Sequence, residues 1–452
     1  MIDIVVIIYV WLFCCLVFRA GWVILVDEVR RILGIVREQN RWRRYECINL
    51  VASENVMSPL AERVYISDFI GRYNEHDGRS HYQGTRYAME IEAVVKEIIG
   101  RRFGTRFVEV RPLSGGIANL IVFRALARLG DVVVSPRLTA GAHVSHTRYG
   151  AVGILGLTEI PAYFDHEDMV MDVDRTIELI NNVRPKIVIF GRSVILFPEP
   201  VREIRDAIDP KIKIVYDVAH VFGLIYGGEF QDPFAEGADI ITSSTHKTFP
   251  GPQGGIIIGR NDFDEDLWRR IERVTFPGVV YNHHIHRLPA LGITALEMER
   301  FGREYAKQVI RNARRLAEEL YSYGFKVLCP HKGFTQSHQV LLDVRGLGGG
   351  RVVAEKLEEN NIIVTKVALP WDSDRDATAN PSGIRIGVQE MTRFGMKESD
   401  MSYIAELFHR VLNEGKDVVG EVVEFRKGFD EVKYCFEVDR YEDHLVGLFG
   451  GC

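Results

Sequence analysis

Short runs of valine and isoleucine alternate with segments of helical periodicity over the first two thirds of the chain. The apolar runs lie at residues 131–135, 186–190, 212–216, 240–242 and 255–258. Continuous apolar runs of this length, separated by helical segments, are typical of strands that are buried on both faces of a parallel sheet. The pattern therefore predicts an α/β fold with a large, doubly wound, mostly parallel sheet domain over residues 45–288.

A second, smaller set of elements follows in the C-terminal third. A long helical stretch runs from Pro289 to Tyr323 and ends at Gly324. Three further apolar runs, at residues 326–328, 339–343 and 362–365, predict another group of strands. We therefore expect residues 289–452 to form a smaller C-terminal α/β domain.

The N-terminal region divides into two parts. Apolar residues at helical spacing among charges from Asp27 to about Trp42 predict an arm helix within residues 26–44. Before it, residues 1–25 contain an uninterrupted apolar run from Ile4 to Phe18. That run is shorter than the ~20 residues that a bilayer core requires, and no clean cleavage site follows it. We interpret residues 1–25 as an extension from a start site assigned too far upstream; a signal peptide, a membrane anchor and a genuine extra arm are the alternatives.

Composition and charge narrow the class of partner. The chain has 452 residues, a formal net charge of −6 and six cysteines. Because no strongly basic segment stands out, nucleic-acid binding is not expected, and small molecules are the expected partners. The cysteines form no Cys-x-x-Cys pair and have no His/Cys ligand spacing, so we expect neither a disulfide framework nor a metal site. This pattern indicates a cytoplasmic protein.

One lysine is placed as a Schiff-base lysine would be. Lys247 lies between small hydroxyl residues and the glycine-rich turn that ends at Gly255. Upstream, an apolar strand ends at Asp217, and His220 follows three residues later. A carboxylate keeps a pyridine nitrogen protonated, and a lysine amine forms an imine with an aldehyde, as pyridoxal phosphate enzymes require.

Each of these residues also has an ordinary explanation when it is taken alone. Lys247 could be a solvated loop charge, and Asp217 could be a helix cap. Together they are more informative. Successive parallel strands end at the same edge of a sheet, where open α/β sheets bind their ligands.

Several ordered motifs resemble those of serine hydroxymethyltransferase, and in particular of its archaeal branch. The resemblance extends from about Val26 to the mid-430s. The matching segments are Asn49–Asn55, Arg72–Glu75, Ser114–Asn119, Gly141–His146, Ser244–Gly255, Phe276–Gly278 and Pro381–Gly387.

The resemblance implies a fold-type I pyridoxal phosphate enzyme with the cofactor bound covalently to Lys247. Asp217 would meet the pyridine nitrogen, His143 would stack on the ring, and Ser114, Gly115 and Gly116 would offer donors to the phosphate. The remaining cofactor-binding residues that it implies are His220, Ser193 and Ser244.

The resemblance also implies a set of residues for the amino acid substrate. Arg385, assisted by Ser53, would bind the α-carboxylate, because a planar guanidinium can form two parallel hydrogen bonds with it. Glu75, flanked by Tyr73 and Tyr82, would handle protons as the one-carbon unit leaves or arrives. His220 belongs to the same catalytic set.

The activity implied is the reversible transfer of a one-carbon unit between serine and a reduced pterin of the tetrahydrofolate or tetrahydromethanopterin type. Serine, glycine and the pterin would be its partners, and two chains would share active sites in a homodimer. Membrane association is not expected.

Two other functions stay open. The segment from Tyr73 to Tyr82 appears one residue shorter than the family pattern, which would suit a pterin-independent β-hydroxy amino acid aldolase of the threonine type. A non-catalytic scaffold is suggested only by the apolar N-terminus.

Overall fold

The computed structural model describes residues 26–373 and 379–445. The predicted extension at residues 1–25 lies outside them. Among the described residues, no helix has both the length and the apolar character needed to span a bilayer.

The described strands are short and number fifteen. They are β1 (Ile48–Asn49), β2 (Val108–Glu109), β3 (Val132–Ser135), β4 (Thr158–Pro161), β5 (Phe164–Asp165), β6 (Val170–Met171), β7 (Ile187–Phe190), β8 (Lys213–Asp217), β9 (Ile240–Ser244), β10 (Gly255–Gly259), β11 (Lys326–Val327), β12 (Gln339–Asp343), β13 (Ile362–Ile363), β14 (Thr365–Val367) and β15 (Gly383–Gly387).

Helices separate most of these strands. A helical arm covers residues 26–39 and continues as a π-helix over Asn40–Glu46. The α-helices that follow are Pro59–Tyr65, Arg86–Phe103, Gly115–Leu126, Ala151–Ile154, Val173–Val183, Val201–Ala207, Phe222–Tyr226, Glu265–Arg273, Arg287–Ser322, Gly350–Glu358, Gln389–Arg393, Glu398–Leu412, Val419–Arg426 and Glu442–Leu445.

Seven strands form the central sheet, in the order β2-β10-β9-β8-β7-β3-β4. The pairs from β9 to β4 are all parallel, whereas β10 is antiparallel to β9 and β2 is antiparallel to β10. The predicted mostly parallel sheet is confirmed. The antiparallel edge was not predicted, because an apolar run alone does not show strand direction.

Both faces of this sheet are buried, as the apolar runs predicted. In β7, Val188 and Phe190 belong to one hydrophobic cluster, which also contains Leu291 of the long helix. Ile187 and Ile189 belong to a second cluster, with Ile121 of helix Gly115–Leu126. Neighbouring residues of a strand point to opposite faces, so each face is covered by its own layer of helices.

A second sheet has the order β11-β12-β15-β14 and is antiparallel throughout. Helix Arg287–Ser322 contacts helix Arg86–Phe103 beside the large sheet and helix Glu398–Leu412 in the C-terminal part. This arrangement matches the predicted order of elements. The domain boundaries at residues 44/45 and 288/289 stay a prediction.

Candidate active site

A cavity of about 260 Å³ lies where β7, β8 and β9 end. This is the carboxyl edge of the parallel sheet, at which α/β proteins bind ligands. The cavity is lined by Ser114, Gly115, Gly116, His143, His146, Arg192, Ser193, Asp217, Ala219, His220, His246 and Lys247. Most of the residues predicted to bind the cofactor therefore converge on one cavity.

Lys247 follows the end of β9 by three residues and is half-buried. Its segment is fixed in part by Asn55, whose Nδ2 donates to the backbone oxygen of Lys247 across 2.7 Å. Burial lowers the pKa of Lys247 to about 8, and the positive charge of Arg385 acts in the same direction against Asp217. The amine is therefore far easier to deprotonate than an ordinary lysine, which is what a nucleophilic lysine needs.

Asp217 ends β8, and its buried side chain is surrounded by hydrogen-bond donors. Its Oδ2 accepts from Asn119 Nδ2 at 2.7 Å and from His146 Nε2 at 3.0 Å, and its Oδ1 accepts from the backbone N–H of Ala219 at 3.0 Å. Burial opposes ionisation, but the His146 hydrogen bond and nearby positive charge prevail and hold the pKa of Asp217 well below its usual range. The carboxylate stays charged, as an anion facing a protonated pyridine nitrogen must.

Asn119 and His146 were not predicted as site residues. Thr242 Oγ1 donates to Asn119 Oδ1 across 2.5 Å, which turns the amide N–H₂ group of Asn119 toward Asp217. His146 is fully buried, and its Nδ1 has no hydrogen-bond partner among the described residues. Both residues lie in segments that matched the family motifs, but no spacing rule in the sequence connects either one to Asp217.

His143 lines the cavity from the loop after β3. Its Nδ1 lies 2.7 Å from Ser145 Oγ and accepts from the Ser145 backbone N–H at 3.2 Å. These contacts fix the rotation of the ring. The position suits the predicted stacking on a planar cofactor.

The start of helix Gly115–Leu126 borders the same cavity. Ser114 caps this helix by accepting from the Ile117 N–H at 3.2 Å. A Cβ atom on Gly115 would lie 3.0 Å from the backbone nitrogen of Ser244, so a side chain there would push the two segments slightly apart. The Ser244 hydroxyl is buried and has no partner among the described residues. A helix N-terminus with a free buried hydroxyl beside it fits a phosphate group.

His220 is held by a glutamine from the C-terminal sheet. Gln339, on β12, donates from Nε2 to the Ser193 carbonyl at 3.0 Å and lies 3.0 Å from His220 Nδ1. Its Oε1 accepts from the Ile195 N–H at 2.9 Å, which fixes the amide orientation. The Nδ1 of His220 is therefore an acceptor.

Electrostatics keep the His220 ring neutral. Burial, and then the charges of Lys247 and Arg385, hold the pKa of His220 well below its usual range. Gln339 was not predicted, because nothing in the sequence shows that β12 would reach the large sheet.

Arg385 lies in β15 and is buried. Its NH1 donates to the Ser193 carbonyl at 2.5 Å, while its Nε has no hydrogen-bond partner among the described residues. Burial lowers the pKa of Arg385 to about 10, and no carboxylate within the described part of the chain pairs with it. A buried guanidinium without an anion is suited to receive one from a ligand.

Ser53 lies in the segment that packs beside β15. The Gly387 N–H donates to the Leu50 carbonyl at 2.8 Å, and a Cβ atom on Gly387 would lie only 2.3 Å from the Cα of Ala52. This close approach holds the segment that contains Ser53 against the strand that carries Arg385.

Three further predicted catalytic residues are Tyr73, Tyr82 and Glu75. Tyr73 and Tyr82 contact each other with ring centroids 5.5 Å apart and line a separate cavity of about 780 Å³. They are 53% and 44% exposed. Glu75 is half-buried, and its carbonyl accepts from the His81 N–H at 2.9 Å. The predicted roles of these three residues therefore stay predictions.

Comparison with known proteins finds related sequences over most of this chain. Residues 25–408 match the family model described as serine hydroxymethyltransferase. The chain is 51% identical over 430 residues to the serine hydroxymethyltransferase of Sulfolobus acidocaldarius, covering 93% of this chain and 98% of that protein. It is 50% identical over 417 residues to that of Aeropyrum pernix, covering 91% and 94%.

A solved structure is similar over nearly the whole fold. It is the crystal structure of L-threonine transaldolase from Pseudomonas fluorescens in its internal aldimine state, with a TM-score of 0.86 and 27% identity. The match covers 94% of this chain and 98% of that one.

Proposed function

This chain belongs to the serine hydroxymethyltransferase family of pyridoxal phosphate-dependent transferases, and we propose that it interconverts serine and glycine by transferring a one-carbon unit to and from a reduced pterin. The observation that carries this proposal is the pairing of Lys247 with Asp217 in one cavity. The lysine is readily deprotonated there, and the carboxylate stays ionised.

The residues present fit the cofactor. Lys247 would bind it covalently, Asp217 would hold the proton on its ring nitrogen, and Ser114, Gly115 and Ser244 would offer donors to its phosphate. When bound, pyridoxal phosphate supplies an aldehyde for imine formation and a ring that accepts electrons from a carbanion. Ser244 Oγ and Arg385 Nε, two donors that have no hydrogen-bond partner among the described residues, support the presence of ligand groups near Lys247.

Arg385 and Ser53 would bind the α-carboxylate of the amino acid. The guanidinium is anchored at NH1 by the Ser193 carbonyl, so its remaining N–H groups are available to the ligand. Because Ser193 also accepts from Gln339, the carboxylate site and His220 are held by the same small network. This fixes the orientation of the substrate relative to Lys247.

We place Glu75, Tyr73 and Tyr82 in the active site of a partner chain. In this chain the two tyrosines are exposed and line a separate cavity, which supports a site completed by a second copy. Glu75 would then give or take the proton as the one-carbon unit moves.

The N-terminal arm also supports a homodimer. Its apolar residues Val29, Ile32, Leu33, Ile35 and Val36 are 51–61% exposed. Apolar residues exposed along one helix are unfavourable in water. A second copy of the chain would bury them. We also place the protein in the cytoplasm, since Cys47, Cys329 and Cys435 form no disulfide within the part of the chain that the structure describes.

The test is serine-dependent one-carbon transfer, assayed in parallel with tetrahydrofolate and with a tetrahydromethanopterin-type carrier. We expect glycine to form with at least one carrier at a rate far above that without any. Glycine formation that no carrier stimulates would contradict the proposal. Borohydride treatment of the holoenzyme, followed by peptide mapping, should find the reduced cofactor on Lys247.

The pterin-independent aldolase is the second candidate, since the similar solved structure is that of an L-threonine transaldolase. That structure is 27% identical, whereas the serine hydroxymethyltransferases are about 50% identical over most of the chain. Cleavage of L-allo-threonine without pterin distinguishes the hydroxymethyltransferase from the aldolase. We expect this cleavage to be slower than serine turnover with the carrier. The opposite order would favour the aldolase.

A further inference from the structure

Two histidines and a glutamate that the proposed reaction does not use meet in a buried cluster. The Nε2 of His76 lies 2.9 Å from Glu92 Oε2, and the Nε2 of His283 lies 3.2 Å from the same oxygen. Each of the three side chains is at most 7% exposed. Over residues 26–373 and 379–445, they form the one group of such side chains whose potential ligand atoms all lie within 4.8 Å of one another.

We propose that His76, Glu92 and His283 bind a divalent metal ion of the zinc class through the two Nε2 atoms and Glu92 Oε2. A tetrahedral zinc ion, with bonds of about 2.0–2.1 Å, holds its ligand atoms about 3.3 Å apart. The observed separations of 2.9 and 3.2 Å are close to this value. Two imidazoles and one carboxylate are also a common zinc set, with the fourth position left open.

His283 provides the second observation. Although its side chain is 1% exposed, neither ring nitrogen has an aligned hydrogen-bond partner within the described chain. An unsatisfied buried imidazole is costly, and a metal bond would satisfy its Nε2.

Glu92 is oriented for this role by a lysine. Lys96 Nζ lies 2.7 Å from Glu92 Oε1, which leaves Oε2 directed between the two histidines. For His76, metal binding through Nε2 moves the ring proton to Nδ1. The long 3.4 Å contact from the Gly78 N–H to Nδ1 is then lost.

The surrounding charges decide which metal fits. Besides Lys96, the neighbourhood contains Arg287 and Arg111, and Arg111 pairs with the buried Glu109. Ca²⁺ and Mg²⁺ need several anionic oxygens, and Glu92 is the one carboxylate in the cluster. Zinc binds neutral imidazoles well, so the two histidines favour it.

A fourth ligand has room to bind. His76 and Glu92 line a cavity of about 580 Å³, together with Lys96, Arg273 and Phe276. Water from this cavity can complete the tetrahedron. The sequence did not predict the site, because its three ligands come from distant segments and have no motif spacing.

The site would join two segments that lie far apart in the sequence. His76 directly follows Glu75, and His283 directly follows Asn282. A metal would tie both segments to helix Arg86–Phe103, which carries Glu92. Metal binding does not depend on the proposed function.

The experiment uses full-length holoenzyme that has been stripped with a chelator and then titrated with Zn²⁺. We expect one zinc ion per chain in the wild type, and binding at least about tenfold weaker in His283→Asn, since even outer-shell losses cost 10–100-fold. His284→Asn is the matched control, because His284 is the exposed neighbour and stacks on His286 instead. It should bind zinc as the wild type does.

Three results would overturn the site: no stoichiometric zinc in the wild type, equal binding in His283→Asn, or loss of zinc in His284→Asn alone. The last would locate the metal on the exposed histidines. If His283→Asn does not fold, zinc X-ray absorption on the wild type decides instead. It should show two imidazole ligands, and a first shell without them would refute the assignment.

Discussion

The amide of Asn119 donates to the carboxylate of Asp217 across 2.7 Å, from the second turn of a helix to the end of a strand. The same helix begins at Gly115, on the border of the cavity, so one element contributes both to the predicted phosphate site and to the predicted ring-nitrogen site. Helix Gly115–Leu126 therefore sets the distance between these two sites.

Replacing Asn119 with alanine should weaken cofactor binding. The change removes one charge-assisted hydrogen bond from Asp217, worth about 1.5–3 kcal/mol, so the dissociation constant of pyridoxal phosphate should rise about 10- to 100-fold. Equilibrium titration of the apoprotein measures it. Asn181→Ala is a suitable control, since the Asn181 side chain donates to the Ala207 carbonyl at an exposed position. Unchanged affinity in Asn119→Ala would show that the hydrogen bonds from His146 and Ala219 are enough to hold the Asp217 carboxylate.

The positions of the strands could be predicted because burial on both faces leaves a local signal. The run at residues 186–190 became β7 (Ile187–Phe190), and the run at 339–343 matches β12. Which strands pair with each other, and in which direction, leaves no such local signal in the sequence. Nothing local shows that Ile48, after the arm, pairs with Ile362 near the C-terminus, or that β10 runs against β9.

Some residues of the candidate site could likewise be predicted from the sequence, and others could not. The positions of Lys247 and Asp217 at the sheet edge could be predicted because Asp217 ends one apolar strand and Lys247 lies in a characteristic motif after the next. Gln339 and His146 could not, since their roles depend on which segments meet across the cavity. Glu75 was predicted by resemblance alone, and its role stays a prediction.

Covalent attachment of the cofactor to the apoprotein should follow the titration of Lys247. Because the pKa of this lysine is lowered to about 8, the neutral amine dominates above that pH and becomes scarce below it. The attachment rate should rise as the pH passes through 8 and then level off. Stopped-flow absorbance at a series of pH values measures it.

A matched variant tests the electrostatic cause. Arg385→Gln removes a charge that lowers the pKa of Lys247, so its midpoint should move to higher pH. A wild-type midpoint near 10.4, the value of a free lysine, would show that Lys247 is not buried as described.

Arg385→Lys should raise the serine concentration needed for half-saturation by at least ~10-fold, because the ammonium group of lysine cannot form the two parallel hydrogen bonds of a guanidinium. Cofactor content should not change. Steady-state kinetics and a cofactor assay on the same preparation measure both. Unaltered saturation by serine would mean that the carboxylate binds elsewhere.

Mixed dimers of Lys247→Ala and Glu75→Gln chains should be active although each parent is not. Lys247→Ala removes the imine-forming amine, and Glu75→Gln should slow serine cleavage by about 10²-fold, the usual contribution of a positioned proton donor. If each site takes Lys247 from one chain and Glu75 from the other, a mixed dimer contains one fully intact site and one that lacks both groups. Random mixing makes half of the dimers mixed, so activity should recover to about a quarter of the wild-type value, as two-fold symmetry requires. Remixed chains that stay as inactive as their parents, with exchange verified by mass spectrometry, would show that each chain supplies its own Glu75.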